Sequence, residues 1–220
     1  SIAFGAQPDF SQVQVEGIDK IEAMDIALSN KFDYRIKLVG EAFRSNGGVK
    51  CRVAPVLVQK EHPLAQINGP LNAVLVEGEP VGRLTFTGPG AGAGPTAAAV
   101  MGDLARLFEG PATPPLGKPA RDLQPLISSE HGVADQGAFF IGAKLADKPG
   151  VFAALTEQLG DAGVSIDKLI QESAGDTGVA PIAIMTHPCP RSAVESALEK
   201  IAELKITADT PRLLRIETRA

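Results

Sequence analysis

GPGAGAGPTAAAV, Gly88 to Val100, places glycine at every second position from 88 to 94 and then runs directly into Pro95, Thr96 and three alanines. Such a stretch lets another group approach the backbone closely before a helix begins, with proline tolerated just inside the helix start. RLTFT at 83–87 alternates like a strand, and TAAAVMGDLARLFEG at 96–110 has helical spacing and ends on Gly110. Strand, glycine loop, helix is the setting in which backbone amides hold a phosphate. A self-contained dinucleotide fold also needs a second strand and an acidic residue about 20 positions on. Here the helix runs instead into PATPPLGKPARDLQPL. Two readings stay open: close packing of backbone on backbone, or a loop that abuts a cofactor held by another domain. Asp103 reads as a solvated helix residue.

Working towards the N-terminus, NAVLVEG, the turn EPVG and RLTFT make a strand pair. YRIKLVG at 34–40 alternates Tyr34, Ile36, Leu38 and Gly40 with Arg35, Lys37 and Val39, and the glycines at 47 and 48 turn it into VKCRVAPVLV. Residues 31–87 therefore read as one mostly antiparallel sheet. Ile18, Ile21, Met24, Ile26, Ala27 and Leu28 predict a short helix that closes near Asn30 and covers one face. His62, beside a proline in EHPLAQ, reads as a surface-loop histidine. SIAFG reads as the last turn of a helix closed by Gly5, and the missing start of that helix predicts a fragment.

Towards the C-terminus, residues 111–136 carry five prolines without sustained periodicity and read as a linker. Beyond them come AFFIGAKLA (strand), PGVFAALTEQLGDAG (helix from Pro149 to Gly163), SIDKLIQES (strand), VAPIAIMTH (strand), RSAVESALEKIAEL (helix) and LLRIETRA (strand). That order, βαββαβ, is the ferredoxin-like arrangement, so the fold class is α+β. The turn Asp147-Lys148-Pro149-Gly150 places free amides and a carboxylate together at a helix start, where an amino acid's two charged ends would both be met. A well-made turn with a helix cap accounts for the same residues.

The chain has 220 residues, 44% hydrophobic and 21% charged, with a net charge of −5 and scattered basic residues. This composition suits a folded protein with small-molecule or protein partners, and argues against nucleic acid or a membrane surface. No apolar run reaches the roughly 18 residues of a membrane span, and no signal-peptide pattern opens the chain, so a cytoplasmic location is expected. Cys51 and Cys189 make no metal spacing and read as free thiols.

DKPGVFAALTEQLGDAGVSI resembles the opening of an ACT domain, a regulatory module that pairs with a copy of itself and binds amino acids at the interface. EGI, YRIKLVG, RVAPVLV, HPLAQINGPLNAV and GPGAGAGPTAAAV, in that order and spacing, resemble the C-terminal portion of bacterial homoserine dehydrogenase, and MTH at 185–187 fits its regulatory tail. The resemblance implies interconversion of aspartate semialdehyde and homoserine with NADP or NAD, on the route to threonine and methionine, with threonine as effector. It divides the chain into a substrate and dimerisation part (1–87), a glycine loop and helix returning to the nucleotide domain (88–110), a linker (111–136) and an ACT domain (137–220). It implies that the nucleotide domain and the catalytic residues lie N-terminal to this chain, so that the 220 residues alone are inactive and contain no catalytic and no metal site. Gly92 is then the position expected at the nicotinamide end of the cofactor, with Gly90 and Thr96 beside it. Asp147, Gly150 and Val151 of one chain, with the strand near Ile166 of another, are expected to hold the effector. A homodimer or larger homo-oligomer follows. The rival expectation is a free-standing amino-acid-binding regulatory or assembly protein.

Overall fold

The computed structural model describes residues 1–7, 9–45, 48–110, 114, 116–125 and 136–217. Its longer strands are β1 (Tyr34–Ser45), β2 (Gly48–Gln59), β3 (Leu71–Gly78), β4 (Gly82–Pro89), β5 (Phe139–Ala146), β6 (Ile166–Gln171), β7 (Val179–Thr186) and β8 (Arg212–Ile216). Its α-helices are α1 (Ala23–Lys31), α2 (Ala93–Glu109), α3 (Val151–Asp161) and α4 (Arg191–Glu203). The chain forms two compact units. One gathers Ser1–Gln14, Glu41–Arg52 and Pro63–Ser129; the other gathers Val15–Gly40, Val53–His62 and Glu130–Ala220. No helix among the described residues is long and apolar enough to cross a membrane.

The C-terminal elements run β5, α3, β6, β7, α4, β8, and the strands lie in the order β6-β7-β5-β8, which is the ferredoxin-like arrangement expected from the sequence. β7 pairs antiparallel with both β6 and β5, and β8 pairs antiparallel with β5. α3 starts at Val151 and not at Pro149, because Gly150 takes the left-handed conformation as its N-cap (φ 85°, ψ −17°).

The sheet does not stop at β8. Arg215 and Ile216 pair in parallel with Val56 and Leu57 of β2, β1 pairs with β2, and Gln14–Val15 extends the far side, making seven strands. The single sheet expected over residues 31–87 is therefore divided: β1 and β2 join the C-terminal strands, while β3 and β4 form a separate two-stranded hairpin. In that hairpin Gly78 lies opposite Gly82, so the connection is residues 79–81, one shorter than the turn EPVG read between NAVLVEG and RLTFT. Gly47, in the turn read between β1 and β2, lies outside the described residues.

Strand periodicity sorts β5 onto two cores. Phe139, Ile141, Ala143 and Leu145 face α3 and α4, packing with Leu155, Leu159, Val194, Ala197 and Ile201. Phe140 faces the other way and packs with Leu28 and Phe32 at α1, Leu57 on β2, Met185 on β7 and Leu214 on β8. Full burial of side chains this size stabilises by about 1.5–3 kcal/mol each. α1 begins at Ala23, later than the apolar spacing suggests, because Glu22 and Asp25 form a capping box there. Ile18 and Ile26 remain exposed.

In the other unit, Ala6–Gln7 pairs in parallel with Gln124–Pro125, and Leu123 is buried. Part of the expected linker is thus a strand partner of the N-terminus. Gly5 has φ 63° and donates its N–H to the Ser1 carbonyl at 2.7 Å, the left-handed turn expected of a helix end. α2 buries none of its residues, and both strands of the β3–β4 hairpin are largely exposed.

Candidate functional site

Two places carry the residues singled out from the sequence. The first is the glycine loop. Gly92 caps the N-terminus of α2 with φ 121° and ψ 155°, a conformation open essentially to glycine alone, and no side chain caps the helix there. Its carbonyl accepts the Thr96 N–H at 3.1 Å. A first turn of this kind, exposed and without a side-chain cap, suits a negatively charged group. Gly90 has a different reason to be glycine: a Cβ there would lie 1.4 Å from the Asn72 amide nitrogen, so backbone packs on side chain. Gly90 also donates its N–H to the Pro70 carbonyl at 3.1 Å. Close packing thus occurs at Gly90, but against a side chain and not the backbone that was expected. Asp103 is exposed on α2 and pairs with Arg106 at 3.8 Å, as a solvated helix residue does.

The second place is the turn into α3. Asp147 is exposed, and its N–H bonds to the Gly178 carbonyl at 2.9 Å. Gly150 is exposed, with open space where a Cβ would stand. The Val151 N–H, expected to be free for a ligand, goes to the Lys148 carbonyl at 3.3 Å. Val151 and Ile166 are half-buried and pack on the same core cluster, Ile166 at the start of β6 opposite Thr186. The fold thus packs Val151 and Ile166 against one core, and presents Asp147 and Gly150 on a solvent-facing turn.

A third cluster was not singled out from the sequence. Asp25 on α1 is fully buried and Arg212 on β8 nearly so. The Arg212 guanidinium donates from Nε to Asp25 Oδ2 at 3.1 Å and from Nη2 to Asp25 Oδ1 at 3.2 Å, a two-pronged contact. Its Nη1 reaches Asp209 Oδ1 at 3.0 Å and Glu22 Oε1 at 3.6 Å. Lys144 on β5 closes the ring, with Nζ 2.6 Å from Glu22 and 2.8 Å from Asp209. Hydrogen bonds to Asp209 and Glu22 hold the Lys144 ammonium above its ordinary pKa. Burial pushes the Asp209 carboxyl upward, but the hydrogen bond from Lys144 and the charge of Arg212 outweigh it and leave the pKa below its ordinary value. Gly142 is part of this arrangement, because a Cβ on it would stand 2.2 Å from Asp25 Oδ1. The hint available in the sequence was a glycine and a lysine on the face of a strand that otherwise carries Phe140.

Among the described residues no group of three or more His, Cys, Asp or Glu side chains is placed to hold a metal ion. Cys51 and Cys189 are both free thiols, and burial raises the Cys189 pKa. His62 is half-buried and donates its backbone N–H to the Gln59 carbonyl at 3.0 Å.

Residues 1–105 match the family model for homoserine dehydrogenase, and residues 139–205 match the model for the ACT domain. The homoserine dehydrogenase of Synechocystis sp. is 36% identical over 228 residues, covering 98% of this chain and 52% of the relative. That of Pseudomonas aeruginosa is 31% identical over 223 residues, covering 99% and 51%. The crystal structure of a homoserine dehydrogenase from Thiobacillus denitrificans is 32% identical and superposes with a TM-score of 0.77 over 98% of this chain and 50% of that one. The Staphylococcus aureus homoserine dehydrogenase, at 22% identity and a TM-score of 0.63, shares the fold. The homoserine dehydrogenase match begins at residue 1, in conflict with the expectation that the family's N-terminal region is wanting. The chain spans about half the length of the curated relatives it matches.

Proposed function

We propose that this chain, similar over nearly its whole length to homoserine dehydrogenases, is the scaffold and amino-acid sensor of such an enzyme, which interconverts aspartate semialdehyde and homoserine with NADP or NAD. The observation that carries the reading is the ordered pair of matches, homoserine dehydrogenase at 1–105 and ACT domain at 139–205, in one chain that aligns over 98% of its own length with half of a relative. When bound, the nicotinamide cofactor supplies or accepts the hydride. This chain's part is to bring a backbone without side chains towards it: Gly92 stands at the uncapped start of α2, while Gly90 and Thr96, whose N–H groups bond to the Pro70 and Gly92 carbonyls, shape the loop beside it.

The ACT region is proposed to read an amino acid, threonine first, through Asp147, Gly150 and Val151 of one chain and Ile166 of a second chain in a homodimer or larger homo-oligomer. Regulation then requires the ligand to favour a less active arrangement by a differential affinity of about 1–3 kcal/mol. Calorimetric titration of the full 220-residue chain with L-threonine is expected to show saturable binding that Asp147→Ala weakens. Equal binding by the variant removes Asp147 from the site, and no binding by either protein removes threonine. The reading also assigns turnover to more than these residues, so homoserine-dependent reduction of NADP by the chain alone would overturn it.

A further inference from the structure

We propose that the ion-pair cluster Asp25–Arg212–Glu22–Lys144–Asp209 is a mechanical link that makes α1 part of the ACT sheet's cooperative unit, so that a ligand bound on the ACT fold is felt in the homoserine dehydrogenase region. The transmission half of this proposal rests on the amino-acid-sensing reading above; the link itself does not.

The argument begins with the two matched regions. α1 and β2 lie within residues 1–105, while β5, β6 and β7 lie within 139–205. α1 and residues 53–59 of β2 nevertheless share one compact unit with the ACT strands, and one hydrophobic cluster, in which Leu28, Phe32 and Leu57 from the first region cover Phe140, Ala183 and Met185 from the second. The ACT sheet is therefore covered on one face by α3 and α4, and on the other by a helix from the preceding region.

Apolar packing alone tolerates sliding, because many placements of a helix on a flat apolar face bury similar area. A two-pronged guanidinium–carboxylate contact does not, because displacing either partner leaves a buried charge without its counter-charge. Asp25 supplies this constraint from the first turn of α1. It accepts from Arg212 on β8, and Oδ2 also accepts the Glu22 N–H at 2.9 Å, so the same carboxylate starts the helix and docks it. Gly142 removes the side chain that would hold Asp25 off β5, and Lys144, two residues along the same face, anchors Glu22. Three strand residues, Gly142, Lys144 and Arg212, thus serve one helix start.

Native-state hydrogen exchange on the full chain tests the link without ligand. In the unaltered protein the amides of Leu28 and Ser29 in α1 are expected to exchange with the same opening equilibrium as those of Ile141 and Ile184 in the sheet. In Arg212→Gln the α1 amides are expected to exchange at least about tenfold faster relative to the sheet amides, as a separately opening segment does. Lys144→Met, which spares the buried pair, provides a milder lesion with the same signature should the first variant not fold. Independent opening of α1 in the unaltered protein, or an unchanged ratio in the variants, would overturn the proposal. With L-threonine added, protection extending from α3 and β6 to Ala23–Lys31 supports transmission, and protection confined to α3 and β6 overturns it. Absence of protection everywhere counts against threonine as effector and against transmission, while the ligand-free ratios still decide the link.

Discussion

The two compact units spend their apolar residues in opposite ways. In the unit built on the seven-stranded sheet, β5 is buried along almost its whole length, and Phe139, Phe140, Ile141 and Leu145 are sealed between helices on both faces. In the other unit, Val74 and Phe86 of the hairpin and Met101, Leu107 and Phe108 of α2 stand exposed. The elements are equally regular in both. What differs is whether the chain itself supplies the covering layer. Apolar patches of this kind mark contact surfaces, so one unit covers its own apolar sheet faces and the other leaves its apolar side chains exposed.

That contrast can be broken first at the buried ion pair. Arg212→Ala strands the fully buried Asp25 carboxylate, and a loss of about 3–5 kcal/mol in denaturant unfolding is expected. A loss under about 1 kcal/mol would show that water or rearrangement replaces the pair.

Next comes a matched truncation. Leu57→Ala, at a position with no exposure in the core beneath α1, is expected to cost about 2–5 kcal/mol. Phe108→Ala, at an 88% exposed position on α2, should change stability by no more than about 0.5 kcal/mol. Comparable costs at the two sites would remove the distinction between the units.

A smaller and more local effect is expected at the glycine loop. Gly92→Ala forces a Cβ into the φ 121°, ψ 155° conformation and should cost about 1–3 kcal/mol, seen as faster exchange or lost helicity in α2. Gly94→Ala, where a Cβ meets nothing within 4 Å, is the control and should be tolerated.

The smallest effect concerns pH. The Asp209 carboxyl is held below its ordinary value, so its share of stability is present above the unfolded value of about 3.9 and lost as pH falls through the lower folded value. Lys144 is shifted the other way, so its share is present below about 10.4 and lost as pH rises through the higher folded value. Stability curves of the unaltered protein and Asp209→Asn should therefore separate at neutral pH and converge in acid. A constant offset down to the lowest pH would show that the carboxylate charge is not what the cluster uses.

The βαββαβ order, the β3–β4 strand pair and the presence of glycine ahead of two helices were legible in local sequence, while the hairpin register and the first residues of those helices were not. What was legible depends on nearest neighbours: side-chain alternation, turn geometry and the conformations that only glycine adopts freely. The tertiary structure decided what those elements join. Parallel pairing of β8 with β2 links Arg215 to Val56, residues far apart in the chain, and no periodicity records a partner at that distance. The Asp25–Arg212 contact is hidden for the same reason. In the sequence Asp25 is one acidic residue near a helix start and Gly142 one glycine in a strand. Only packing α1 on β5 turns the missing side chain into room for a carboxylate, and that carboxylate into the partner of an arginine on β8.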